Sequence, residues 1–200
     1  MKAILIGNLT IDQNTIENNT YTMPGGTAYF MARTFDNLSV DTTIVSSYGS
    51  DFPKRSLAST SFVPEKPSFT KTLRFRNIYK NGKRKQKVEY FQDYLKFMLP
   101  ILPGSNADIN MVMIAPVINN INYLLLEKIK KGFPKSFICL LPQGFFRKID
   151  KLGKIIPITY TFPDEIISTL DFICLSELDT QEVDKKAKKW SILGPIVAVT

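Results

Sequence analysis

The sequence predicts an α/β protein built on a mostly parallel sheet, and three observations carry that prediction. Short apolar runs alternate with helix-length amphipathic stretches, the rhythm of βαβ units. The runs AILI, ICLL and IVAV are apolar at successive positions, as in strands covered on both faces. With 200 residues, 44% of them hydrophobic, the chain can bury a real core as one domain spanning 1–200.

Residues 2–7 (KAILIG) form the first strand and end in Gly7-Asn8, at the C-terminal edge where open α/β sheets bind ligands. A polar, Asn-rich stretch is expected from Asp12 to Thr20. Met23-Pro24-Gly25-Gly26 then opens a helix over Thr27 to Leu38, with Ala28, Met31, Ala32, Phe35 and Leu38 on one stripe. The glycine pair suits either a tight helix-start turn or the close approach of a ligand. The next strand runs from Thr43 to Ser47 and leads into Tyr48-Gly49-Ser50-Asp51-Phe52.

From Phe69 to Tyr79 the pattern changes to period two: Phe69, Leu73, Phe75 and Tyr79 share one face, with Thr70, Thr72, Arg74 and Arg76 opposite. Asn81-Gly82 is a strong hairpin-turn signal, and Lys85 to Phe91 returns with Val88 and Tyr90 alternating against Glu89. A β-hairpin at about 69–91, set between α/β units, suggests a small lid or a clasp between two copies of the chain. The α/β rhythm resumes with the strand MVMIAP, a helix from Asn122 to Lys131, the strand SFICLL, an irregular segment, the strand DFICL, a helix from Thr180 to Trp190 and the strand PIVAVT. That last strand ends at Thr200 with no helix to cover it, so the fold is expected to continue, with its C-terminal part missing here.

Composition removes several function classes. No apolar run approaches the ~18 residues of a membrane helix, and the start of the chain is too short an apolar stretch for a secretory signal, so a cytoplasmic protein with no membrane partner is expected. Cys139 and Cys174 each sit in an apolar strand and read as reduced core thiols. Histidine is absent, which excludes Ser-His-Asp and Cys-His nucleophile systems and His-rich zinc sites. The net charge of +8 falls in three local groups, Lys80 to Lys87, Lys128 to Lys131 and Lys185 to Lys189. The latter two lie in helix-like stretches, where C-terminal halves favour cations. No nucleic-acid motif accompanies them, and attraction of an anionic substrate explains the sign.

Five segments in order carry a resemblance. Gly7-Asn8-Leu9-Thr10-Ile11-Asp12, Gly25-Gly26-Thr27-Ala28-Tyr29-Phe30 and Val45-Ser46-Ser47-Tyr48-Gly49-Ser50-Asp51-Phe52 resemble the N-terminal signature of the ribokinase-like (PfkB) carbohydrate kinases, nearest to their inositol-kinase-like branch. Leu141-Pro142-Gln143-Gly144-Phe145-Phe146-Arg147 is similar to that family's Asp-Pro-Gln-Gly-Phe-x-Arg element. Leu175-Ser176-Glu177-Leu178-Asp179 is similar to the segment with its Asn/Ser-x-x-Glu motif. The 69–91 hairpin falls where the family has lid strands.

The resemblance implies a three-layer sandwich, a substrate that is a sugar, polyol or nucleoside, and ATP with Mg2+ as cofactors. It places Asp12, Gly25, Gly26 and Asn8 on the acceptor, Ser176, Asp179 and Thr200 on the cofactor, and Asp179 in indirect contact with the metal. Its catalytic base lies in a Gly-Ala-Gly-Asp segment that these residues lack, so the base is expected beyond Thr200 and the chain alone is not expected to turn over. Three positions depart from the family: Phe30 stands for an Asn, Leu141 for an Asp and Asp179 for a Glu. Leu141 also suits simple core packing. A non-catalytic binding remnant is the alternative. A nicotinamide enzyme is disfavoured because Gly7 to Asp12 lacks G-x-G-x-x-G.

Overall fold

The computed structural model describes residues 1–96 and 108–200. In chain order the elements are β1 (Lys2–Gly7), β2 (Thr10–Ile16), β3 (Asn19–Gly25), α1 (Thr27–Asn37), β4 (Asp41–Val45), β5 (Ser61–Val63), β6 (Arg74–Lys80), β7 (Lys83–Glu89) and α2 (Gln92–Lys96). They continue as β8 (Met111–Ala115), α3 (Tyr123–Gly132), β9 (Phe137–Leu140), β10 (Arg147–Ile149), β11 (Ile155–Pro157), α4 (Asp164–Ile167), β12 (Phe172–Leu175), α5 (Val183–Ile192) and β13 (Ile196–Val199).

Seven strands make one sheet in the order β13-β12-β9-β8-β1-β4-β5, parallel at every pairing. β1 shows why its sequence is apolar throughout. Ala3 and Leu5 pack with Ala28, Ala32 and Phe35 of α1 on one face, while Ile4 and Ile6 pack with Leu126 and Ile129 of α3, Ile167 of α4 and Trp190 of α5 on the other. Helix, sheet and helix give the three layers. Ile114 of β8 is fully buried near the centre. Ile114→Ala is expected to cost about 3 kcal/mol in urea unfolding. A loss below about 1 kcal/mol would mean that this face of the sheet is loosely packed.

The second sheet has the order β3-β2-β6-β7, two antiparallel hairpins joined by a parallel pairing of β2 with β6. One of its hairpins matches the expected lid, with Asn81 and Gly82 at φ 51° and 70°, the left-handed pair a two-residue hairpin turn requires. The other, β2 with β3, runs through the polar, Asn-rich stretch expected from Asp12 to Thr20. Its apolar alternation is missing because the inner face covers a polar cavity. Two corrections concern boundaries: the lid strand begins at Arg74 rather than Phe69, and the strand expected from Thr43 spans Asp41–Val45. The segment expected to be irregular between β9 and β12 holds a short hairpin, β10 with β11, and the single turn α4. Phe75, Val88 and Leu73 anchor the lid on Phe91, Tyr94, Val117 and Ile118.

Both cysteines are free, Cys139 buried and Cys174 partly so, and burial raises the Cys139 thiol to about 12, which keeps it protonated and inert. No helix among the described residues is long and apolar enough to cross a membrane.

Candidate active site under the lid

Chain order around β1 creates the site. After β1 the chain adds β4 and β5 on one side, then returns to place β8 on the other, and such a reversal leaves a crevice beyond the strand C-termini. Here the crevice is a cavity of about 350 Å³, floored by Val117 after β8, walled by Gly26, Thr27 and Phe30 of the α1 start, and roofed by the lid.

Asp12 projects into it from β2. Its Oδ1 accepts a 2.7 Å hydrogen bond from the Thr10 hydroxyl. Burial raises its pKa above the usual 3.8, only partly offset by that hydrogen bond and by the field of Arg84. Gly25 is where Asp12 requires it: a Cβ there would occupy the space of the Asp12 carboxylate. Gly26 precedes α1 at φ 89°, ψ 148°, and a Cβ on it would strike the Asn8 carbonyl oxygen. No side chain caps that helix start, so its first N–H groups remain directed to the cavity end.

The structure therefore gathers Asp12, Gly25 and Gly26 but assigns Asn8 differently. The Asn8 side chain is buried, and its Oδ1 accepts hydrogen bonds from the N–H groups of Val117 (3.0 Å) and Ile118 (3.4 Å). It ties the β1 end to the β8 end and shapes the floor without entering the cavity. Phe30 stands half-exposed on the wall. Leu141 packs at the margin of the α1-side core, the packing role its sequence context suits.

A second cleft, of about 740 Å³, adjoins the first and shares Arg84, Gln86 and Arg147 with it. It adds Lys85, Lys87 and Lys154, against one carboxylate, Asp179. That carboxylate is already engaged, by the Ser176 N–H at 2.9 Å and Gln143 Nε2 at 3.2 Å. Ser176 thus serves as partner to Asp179, and Thr200 bonds through its backbone and hydroxyl to the Leu175 carbonyl. Neither Ser176 nor Thr200 lines the two cavities. No group of three metal-ligating side chains occurs among the described residues, and the engaged Asp179 does not fit direct ligation of Mg2+.

Arg147 stands at the junction of the two cavities. Burial lowers its pKa to about 10, with Asp179 opposing and Arg84 adding to the shift, so it remains a cation at neutral pH. Its Nη1 donates to the Val117 carbonyl (3.2 Å), and no carboxylate lies within ion-pair distance among the described residues. Two guanidinium groups that share the junction, neither in an ion pair among the described residues, favour an anion between them. Arg84 and the amides Asn14, Asn77 and Gln86 were not singled out by the sequence. The basic run 80–87 pointed to the first, but Asn77 meets Asn14 across 63 positions and Gln86 across 9, spacings with no local signature.

No protein-family model matches the chain, and no curated protein matches it. Solved structures do. The chain is similar to a pyrophosphate-dependent kinase in the ribokinase family in complex with sulfate, at 16% identity and TM-score 0.75 over 99% of this chain and 72% of that one. It is similar to the Methanocaldococcus jannaschii nucleoside kinase, at 14% identity and TM-score 0.67 over 100% and 70%. It is also similar to the Arabidopsis thaliana ribokinase complexed with ribose and ATP, at 14% and 0.59 over 98% and 70%.

Proposed function

We propose that this chain, which has the ribokinase fold, holds a sugar, polyol or nucleoside under its lid for phosphoryl transfer from ATP. One observation carries the reading: a partly buried carboxylate, Asp12, stands in a lidded cavity at the switch point of a parallel sheet. A carboxylate accepts two directional hydrogen bonds and so orients hydroxyls. The lid excludes water from that exchange. ATP, when bound, supplies the phosphoryl group, and Arg84 with Arg147 would hold phosphate oxygens at the junction. Gly-Ala-Gly-Asp does not occur in the 200 residues, so the reading assigns them the acceptor side, and transfer by this chain alone is expected to be absent. A cytoplasmic setting and pairing of two chains through the lid, whose Ile16 and Ile78 are exposed, belong to the same reading.

Calorimetry with myo-inositol, ribose and adenosine tests it: saturable binding of at least one is expected, and binding of none of them overturns the acceptor assignment. Turnover with ATP would show that the base lies within these residues. For the junction, Arg147→Leu is expected to melt within about 3 °C of the parent protein, since a desolvated cation is lost along with one hydrogen bond. It should also lose the thermal shift that pyrophosphate produces. A shift of undiminished size in the variant would remove Arg147 from the anion site. The second reading, a binding protein without transfer chemistry, expects acceptor binding with no response to ATP or pyrophosphate.

A further inference from the structure

The lid carries a second face, turned away from the cavity. Side chains alternate across a strand, so Asn14 and Asn77 point inward and are buried, while Gln13, Arg76, Ile78, Lys85 and Lys87 share the outer side. Register sets like charges against one another there. Arg76 on β6 lies directly opposite Lys87 on β7, Lys80 lies opposite Lys83, and Lys85 lies opposite Ile78. Directly opposed like charges destabilise a sheet, and little offsets them. Arg76 meets Glu89 at 3.3 Å and donates to Gln13 at 2.9 Å. The four lysines are all exposed and form no ion pair among the described residues.

We propose that the outer face of the lid docks on an anionic phospholipid surface. Two lids can meet edge to edge, but laid flat on one another they would set five cations against five, Arg76, Lys80, Lys83, Lys85 and Lys87, so the complement of this face is anionic. Its layout narrows the choice. The cations stand on two adjacent strands about 4.8 Å apart and at two-residue steps of roughly 6.7 Å, a grid rather than a single track. Beside them β2 and β3 present Gln13, Thr15, Thr20 and Thr22, neutral groups that hydrogen-bond headgroup oxygens. No aromatic ring stands among these strand positions to stack a nucleic-acid base, whereas Ile78, 48% exposed, is an aliphatic group ringed by cations and suited to the boundary between headgroups and acyl chains. Each Lys or Arg near such a surface adds attraction that fades within a Debye length, and headgroup phosphates relieve the opposed pairs. The expectation of no membrane partner came from the lack of a spanning segment, which a peripheral contact does not need.

The test is cosedimentation of the 200-residue chain with vesicles at about 0.1 M salt. Vesicles of one part phosphatidylglycerol to two parts phosphatidylcholine are expected to hold it, and vesicles of phosphatidylcholine alone to leave it in solution. Lys80→Gln with Lys83→Gln removes an opposed pair that lines neither the acceptor cavity nor the junction cleft. That double variant should bind the anionic vesicles about thirtyfold more weakly and melt no lower than the parent protein, since a like-charge contact is gone. Lys128→Gln with Lys188→Gln lowers the net charge equally, on α3 and α5, and should stay within about threefold of the parent affinity. Failure to bind the anionic vesicles overturns the proposal, as does equal binding to the neutral ones. Equal weakening by the two double variants overturns it as well, because net charge would then suffice without this face. Tighter binding to a single-stranded oligothymidylate at the same phosphate concentration would replace the lipid surface with a nucleic-acid backbone and overturn it too.

Discussion

Asp12→Ala lowers acceptor affinity by about a hundredfold or more as the expected result, read by calorimetry with whichever compound the parent protein binds. Each hydrogen bond to an ionised carboxylate in a water-poor site contributes about 1.5–3 kcal/mol, and Asp12 keeps one oxygen unused by Thr10. Unchanged affinity would remove Asp12 from the acceptor site. The raised pKa adds a signature in pH. Binding needs the ionised form, so affinity falls on acidification sooner than for a carboxylate titrating at 3.8. Stability moves the other way. Between the unfolded and the raised folded pKa the native state binds more protons, so the fold loses stability as pH rises through that window. Asp12→Asn is therefore expected to melt no lower than the parent protein at neutral pH while binding nothing. A clear drop in melting temperature would mean that the Asp12 charge holds the lid together.

Gly26→Ala is expected to be the most destabilising change at the site. At φ 89° and ψ 148° the backbone lies in a region that only glycine adopts without strain, at about 1–3 kcal/mol, and the new methyl would meet the Asn8 carbonyl oxygen and the Thr10 N–H. These are main-chain atoms at the β1 end and cannot rotate away. A total near 3 kcal/mol corresponds to a melting temperature lower by roughly 6–12 °C for a chain of this size. Gly25→Ala provides the contrast. Its methyl would meet the Asp12 side chain, which can turn aside, so most of the fold stability should survive and acceptor binding should not. Equal melting losses in the two variants would show that the glycine pair acts only as a turn.

The two glycines illustrate how much of the site could be read in advance. Their adjacency to a helix start was visible, but whether each served a turn or a ligand was open. The structure divides the tasks: Gly26 makes the turn against Asn8, and Gly25 makes room for Asp12. Asn8 shows the reverse case. Its place at a strand C-terminus suggested ligand contact, yet its amide joins two loops because the N–H groups of Val117 and Ile118 lie buried beside it. Asp179 likewise has a structural task, closing the turn after β12.

By itself the sequence determined the parallel sheet, because strands covered on both faces must be apolar at consecutive positions and βαβ spacing leaves few other arrangements. It also determined the lid turn, through Asn81-Gly82, whereas the acceptor-side placement of Asp12 was only what the family resemblance implied. Only the tertiary structure decided the four-stranded lid, the amide row of Asn14, Asn77 and Gln86, and the meeting of Arg84 with Arg147. The reason is physical: apolar burial repeats with the local period of a strand or helix and so marks the chain. Polar groups that converge on a cavity from separate strands obey only the distance between them in space, and leave no period to read.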